Sequence, residues 1–171
     1  MRRGVLASVT IGAAITLLAA GCGGNNDSSG SSGSPGTTGG QATGGGAGAT
    51  VAVKSSELGK ILVDDQGRTL YLFEKDKGPT STCSGACAAA WPPETTDGTP
   101  KAGSGASAAE LTTSARDDGS MQVVYHGHPL YRYGGDAKAG DTNGEGLDQF
   151  GAEWYVLSPA GEKIEGEQDK D

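Results

Sequence analysis

Tyr71-Leu72-Phe73-Glu74-Lys75-Asp76 returns sixty residues later as Tyr131-Arg132-Tyr133-Gly134-Gly135-Asp136. In both copies two aromatic residues flank one intervening position, and an aspartate follows three places beyond the second ring. That alternation puts the two rings of each copy on one face of a strand. Arg132 falls on the face opposite Tyr131 and Tyr133, which marks the tyrosine face as the inner one. Outward from the motif, the same displacement superposes Gly59 on Gly119, Val63 on Val123, Gly67 on Gly127 and Leu70 on Leu130. Ile61 over Met121 and Phe73 over Tyr133 are conservative exchanges at that offset. Each copy then leads through a loop to a tryptophan, Trp91 or Trp154. The chain therefore reads as a tandem duplication, repeat one at about 56–93 and repeat two at about 111–158.

Within a copy the apolar period is two. Ile61-Leu62-Val63, a turn at Asp65-Gln66-Gly67, and Thr69-Leu70-Tyr71-Leu72-Phe73 predict a β-hairpin, with Gly67 supplying the positive φ of a short loop. Gln122-Val123-Val124-Tyr125, a turn at His126-Gly127, and Leu130-Tyr131-Arg132-Tyr133 predict its twin. Val51-Ala52-Val53 and Leu111-Thr112-Thr113 read as a further strand before each hairpin, and Trp154-Tyr155-Val156-Leu157 as the last strand. One helical turn is expected at 86–91, ended by Pro92-Pro93. Residues 94–109, rich in Gly, Ser, Thr and Ala, join the copies. A lone hairpin is marginal in water. The expected fold is thus mainly β: two homologous antiparallel hairpin or meander repeats, packed as one small domain over 51–164 with pseudo-twofold symmetry. Residues 165–171 form an acidic tail that is expected to fray.

The amino-terminal third has a different character. Arg2 and Arg3 precede an apolar stretch over 5–20 that is short for a spanning helix and ends in small residues, as a secretory signal does. Leu18-Ala19-Ala20-Gly21-Cys22 resembles a bacterial lipoprotein signal, with Ala19 where Leu is usual. That resemblance implies removal of residues 1–21 and a diacylglyceryl group on Cys22. From Gly23 to Thr50 there are 11 Gly among 28 residues and almost no hydrophobics, so 22–50 reads as a flexible tether. Cleavage after residue 21 leaves 11 basic against 21 acidic residues, a net charge of -10. Such a surface excludes nucleic acid as a partner and is repelled by an anionic bilayer face. The expected location is the outer face of a cell membrane.

Lipidation uses one of the three cysteines. Cys83 and Cys87 remain, an even pair in an oxidising compartment, and are expected to form a disulfide. A competing reading joins them to His126 and His128, with Met121 as a thioether, in a thiol-redox or copper-handling site. Asp141-Thr142-Asn143-Gly144-Glu145-Gly146 has oxygens at the first, third and fifth places of a calcium loop and Gly at the sixth. Its twelfth place is Ala152, however, where a bidentate acid is needed. Asp76 and Asp136 stand where a strand should end. They read either as acceptors for loop N–H groups or as two carboxylates around one shared site. No nucleophile elbow or zinc-protease helix occurs in the sequence, so no catalytic residue is assigned and no cofactor is expected.

Taken in order, several pieces carry a family resemblance. They are the two Y-x-[FWY]-x-x-D motifs; Thr82-Cys83-Ser84-Gly85-Ala86-Cys87 with Ala90-Trp91-Pro92-Pro93; Tyr125-His126-Gly127-His128-Pro129-Leu130-Tyr131; Gly140-Asp141-Thr142-Asn143-Gly144; and Trp154-Tyr155. Over roughly 56–158 the chain resembles the bacterial lipoproteins that carry this motif in tandem, the "secreted repeat of unknown function" family. The resemblance implies a surface or periplasmic lipoprotein without an established activity. The expected role is a non-catalytic binding or interaction module for a protein, glycan or small-molecule ligand.

Overall fold

The structure is a computed structural model that describes residues 48–166. The expected signal peptide, Cys22 and most of the tether lie outside the described residues, and of the tail only Glu165 and Gly166 lie within them. Two antiparallel strands open the domain, β1 (Thr50–Ser56) and β2 (Gly59–Val63). β3 (Tyr71–Phe73) and the short helix α1 (Ala86–Ala90) follow. β4 (Lys101–Ala102) then runs parallel to the start of β1. After a 3-10 turn at Ala108–Glu110 come β5 (Leu111–Ala115), β6 (Met121–Tyr125) and β7 (His128–Pro129). β8 (Leu147–Gln149) and β9 (Ala152–Val156) close the chain. Three small sheets result, in the orders β2-β1-β4, β3-β9-β8 and β5-β6-β7. The first strand begins at Thr50, and Ala49 already donates its amide to Thr96 Oγ1, inside the stretch assigned to the tether.

The mainly β duplicate is there, but its principal hairpins differ from those expected. β1–β2 and β5–β6 pair over five positions each. The 61–73 hairpin is short by comparison. Val63 bridges Thr69 and Leu70 N reaches Leu62 O, after which β3 leaves to pair with β9. The reason is burial on both faces of β3. Tyr71 and Phe73 enter one core while Leu72 enters another, so the strand needs neighbours that a free-standing hairpin cannot supply.

The sixty-residue displacement also slips by one across β2 and β6. The β1–β2 turn holds two residues, Glu57-Leu58, whereas Arg116 N→Ser120 O closes a three-residue turn between β5 and β6. The next turn compensates: Asp64 N→Arg68 O encloses three residues, and Tyr125 pairs with His128 across only two. Hydrogen bonds show the true correspondence. Leu62 N→Leu157 O matches Val123 N→Glu94 O, and Leu70 N→Leu62 O matches Leu130 N→Val123 O. Leu62, and not Val63, is therefore the counterpart of Val123. Because a slip of one turns every side chain to the opposite face, Val63 and Val123 sit in different cores.

The first core gathers Ile61, Val63, Tyr71, Phe73, Cys83, Cys87, Trp91, Tyr131, Trp154 and Val156. The second gathers Val51, Leu62, Leu70, Leu72, Val123, Tyr125, Leu130, Tyr155 and Leu157. Two bulky residues take positive φ, His126 at 49° and Phe150 at 60°, each followed by a glycine in a two-residue hairpin turn. Non-glycine residues there cost about 1–2 kcal/mol.

Candidate functional site

The repeat motifs meet at one point. Tyr71 N donates to Tyr131 O at 2.9 Å and Tyr131 N to Tyr71 O at 3.0 Å, so equivalent residues pair with each other. A pseudo-twofold axis passes between them. Around it four rings follow one another in the order Phe73, Trp154, Trp91, Tyr133, with centroid separations of 4.0, 3.9 and 4.3 Å, the first three stacked and Tyr133 tilted by 32°. The two indoles at the centre are nearly parallel, 5° apart. Tyr71 stands edge-on to Trp91 at 5.3 Å and Tyr131 edge-on to Trp154 at 5.1 Å. Both tryptophans are fully buried. Each is placed by an extended segment that lies beside the other copy's motif strand: Trp154 pairs with Phe73, and Arg132 N donates to the O of Pro92, the residue after Trp91.

The aspartates of the motif close this arrangement across the axis. Tyr71 O–H donates to Asp136 Oδ2 at 2.7 Å, and Tyr131 O–H to Asp76 Oδ2 at 2.6 Å. The other oxygen of each carboxylate accepts from a loop that follows: Asp76 Oδ1 from Thr82 N and Oγ1, Asp136 Oδ1 from Asn143 N and Nδ2. A short charge-assisted bond of this kind fixes both partners strongly. Burial, reinforced by the aspartate beside it, raises the pKa of each tyrosine. Burial likewise raises that of Asp136. Chemically the arrangement is a clasp: each tyrosine of one repeat is held by the carboxylate of the other, and each carboxylate also holds its own loop.

Around the axis the copies diverge. In repeat one, Cys83 and Cys87 are disulfide-bonded and almost wholly buried against the first core, Cys87 within α1 and its O accepting from Trp91 N at 2.7 Å. Arg116, from the second repeat, reaches over to Ser81 Oγ (2.8 Å), Gln122 Oε1 (2.6 Å) and Cys83 O (2.7 Å) and ties that loop down. Glu94 is buried and pairs with Arg132 Nε at 3.1 Å. By the hydrogen-bond correspondence, Leu157 takes the place of Glu94 in repeat two. Burial raises the Glu94 pKa to about 7, with Arg132 pulling the other way.

The candidate metal ligands do not converge. His126 and His128 line a cleft of about 430 Å³ with Leu72, Glu74, Asp76 and Lys77. Cys83 lines a different one of about 380 Å³ with Thr80, Thr82, Ser84 and Arg116, and Met121 a third with Thr96 and Leu111. His126 Nδ1 lies 2.8 Å from Glu110 Oε2, and burial lowers the His128 pKa. The side chains of the Asp141 loop bond to the chain itself. Asp141 accepts from Ala137 N and Lys138 N, Asn143 is bound to Asp136, and Glu145 accepts from Val156 N. Among the described residues no three His, Cys, Asp or Glu side chains are grouped as metal ligands would be.

Sequence reasoning missed Gln149, Glu94 and Arg116. Trp91 Nε1 donates to Gln149 Oε1 at 3.0 Å and Trp154 Nε1 to Gln149 O at 3.1 Å, so one residue receives both indole N–H groups. No periodic signal marks such a residue. Glu94 could have been found, because an acid directly after Trp91-Pro92-Pro93 stands where the other copy has an aliphatic side chain after Trp154-Tyr155-Val156.

Residues 52–94 and 112–158 each match the model of one family, described as a secreted repeat of unknown function. No curated protein and no solved structure matches the chain. No helix among the described residues is long and apolar enough to cross a membrane.

Proposed function

We propose, for a chain that belongs to the family of secreted repeats of unknown function, the role of a lipid-anchored, non-catalytic binding module on the outer face of the cell membrane. The observation that carries this reading is the destination of the motif side chains. Tyr71, Tyr131, Asp76 and Asp136 spend their hydrogen bonds on one another and on their own loops. A motif so employed holds a scaffold together and leaves recognition to the surface segments that differ between the copies. The net charge of -10 expected after cleavage favours solubility and keeps such a domain clear of an anionic surface, within the reach of its tether.

The anchor is tested by feeding the producing cells a radiolabelled fatty acid. Label is expected on the wild-type chain and absent from Cys22→Ala, which should leave the membrane fraction or retain its signal. Label that survives Cys22→Ala removes the anchor from the proposal.

A further inference from the structure

The β8–β9 hairpin carries two features that oppose its own stability. Its turn is Phe150-Gly151, with φ of 60° and 88°, a pair of left-handed positions that favours Asn-Gly. The first position instead holds a phenylalanine that is 42% exposed and packs into neither core. Next to it, Asp148 lies directly opposite Glu153, both exposed, a cross-strand pair of like charges that weakens a sheet. Glu153 Oε2 accepts from Tyr155 O–H at 3.0 Å, which fixes that carboxylate at the rim of the tip.

The same hairpin is held rigidly from beneath. Gln149, the residue before Phe150, receives both indole N–H groups of the central stack. Lys75 Nζ approaches Phe150 O at 3.4 Å. An aromatic anchor presented from a fixed base loses little freedom on binding, the quality that makes such residues dominate interfaces. Strain kept at an outward-facing aromatic points to use.

We propose that the β8–β9 tip is a docking element: Phe150 enters an apolar pocket on a partner protein, and lysine or arginine side chains around that pocket meet Asp148 and Glu153. Charge complementarity selects this occupant over an anionic bilayer, which the two carboxylates repel, and over a second copy of this acidic chain. The inference rests on the binding-module reading and names its surface and partner chemistry.

The test places a photo-crosslinking p-benzoylphenylalanine at position 150 of the full chain in the producing cells, with Lys60 and Asp117 as exposed control positions. One discrete protein adduct is expected from 150. The crosslinked peptide of the partner should carry lysine or arginine beside apolar residues, and Asp148→Lys with Glu153→Lys should cut the yield at least tenfold. Phe150→Asn is expected to raise Tm by about 4 °C, since asparagine suits the turn, and to abolish association with the partner so identified. An adduct with the chain itself, an adduct with lipid, a yield insensitive to charge reversal, or a Tm that falls in Phe150→Asn overturns the proposal. Adducts from Lys60 or Asp117 alone remove the tip and leave the binding module standing; none from any position removes both.

Discussion

Copy one and copy two are alike at the axis and unlike a few residues away from it. At the axis each has a tyrosine on the other's aspartate and a tryptophan stacked on the other's tryptophan. Further out, copy one has a disulfide, a short helix and the buried Glu94, which Arg132 of copy two meets. The corresponding part of copy two has the β8–β9 hairpin and Leu157 in an apolar core. The difference separates what the fold requires from what it permits. Groups at the axis pack against their equivalents in the other copy, so their shapes must suit one another; groups away from it meet unlike partners, as where Arg116 and Arg132 of copy two reach Cys83 O and Glu94.

The most severe way to break this comparison is to remove one stacked indole. Trp91→Ala and Trp154→Ala should each cost about 3–5 kcal/mol in denaturant unfolding, a large share of the roughly 5–15 kcal/mol that holds an ordinary domain together. Closely similar losses are expected from the two. A twofold disparity would show that the axis is not shared equally.

A second measurement concerns Glu94, where the halves differ most in polarity. Its pKa rises on folding from 4.5 to about 7, so the folded state binds the proton more tightly. The resulting stabilisation is fully present below 4.5 and is lost as pH rises through about 7. Between pH 5.5 and 7.5 wild type should lose about 2 kcal/mol from this group, and Glu94→Gln should flatten that slope. A slope unchanged in the variant assigns the effect elsewhere.

The disulfide belongs to copy one alone. Replacing Cys83 and Cys87 together by alanine should cost about 2 kcal/mol, the low end for so short a loop. The loss should appear as faster amide exchange across 82–91, while the β8–β9 hairpin keeps its protection. The mildest test is Tyr71→Phe against Tyr131→Phe, each expected to cost about 1–2 kcal/mol, chiefly through the lost bond to a carboxylate, since Gly144 N at Tyr71 and Ser81 at Tyr131 each lose a second partner. Equal costs sharpen the symmetry. A smaller cost at Tyr131 would reveal that Ser81, which also lies 2.6 Å from its hydroxyl, shares the work.

The sequence made the duplication, the inward tyrosine face and the disulfide legible, because each leaves a local or fixed-interval trace. Alternation placed Tyr71 and Phe73 together and turned Arg132 away, and both are so arranged. The offset misled at Gly59, Ile61 and Val63. Two one-residue changes in turn length cancel within the copy, so chance matches at sixty looked like true equivalents. Nothing local indicates that Tyr71 reaches the aspartate of the distant motif rather than the one five residues on. A strand carries Asp76 away from the Tyr71 ring, and only closure of the twofold brings Asp136 to it. Gln149 and Phe150 escaped for a related reason: one is defined by where two distant indoles point, the other by a backbone angle.

Self-complementarity at the Tyr71–Tyr131 pair sets a parity rule for any chain assembled from this unit. The surface that one unit offers at the axis is satisfied by one other unit and by no more. A solitary unit would leave a phenol without its carboxylate and an indole with a bare face until it met a twin chain. A third unit in tandem would be stranded in the same way. Proteins made of these units should therefore come in even numbers, either within one gene or by pairing of odd ones.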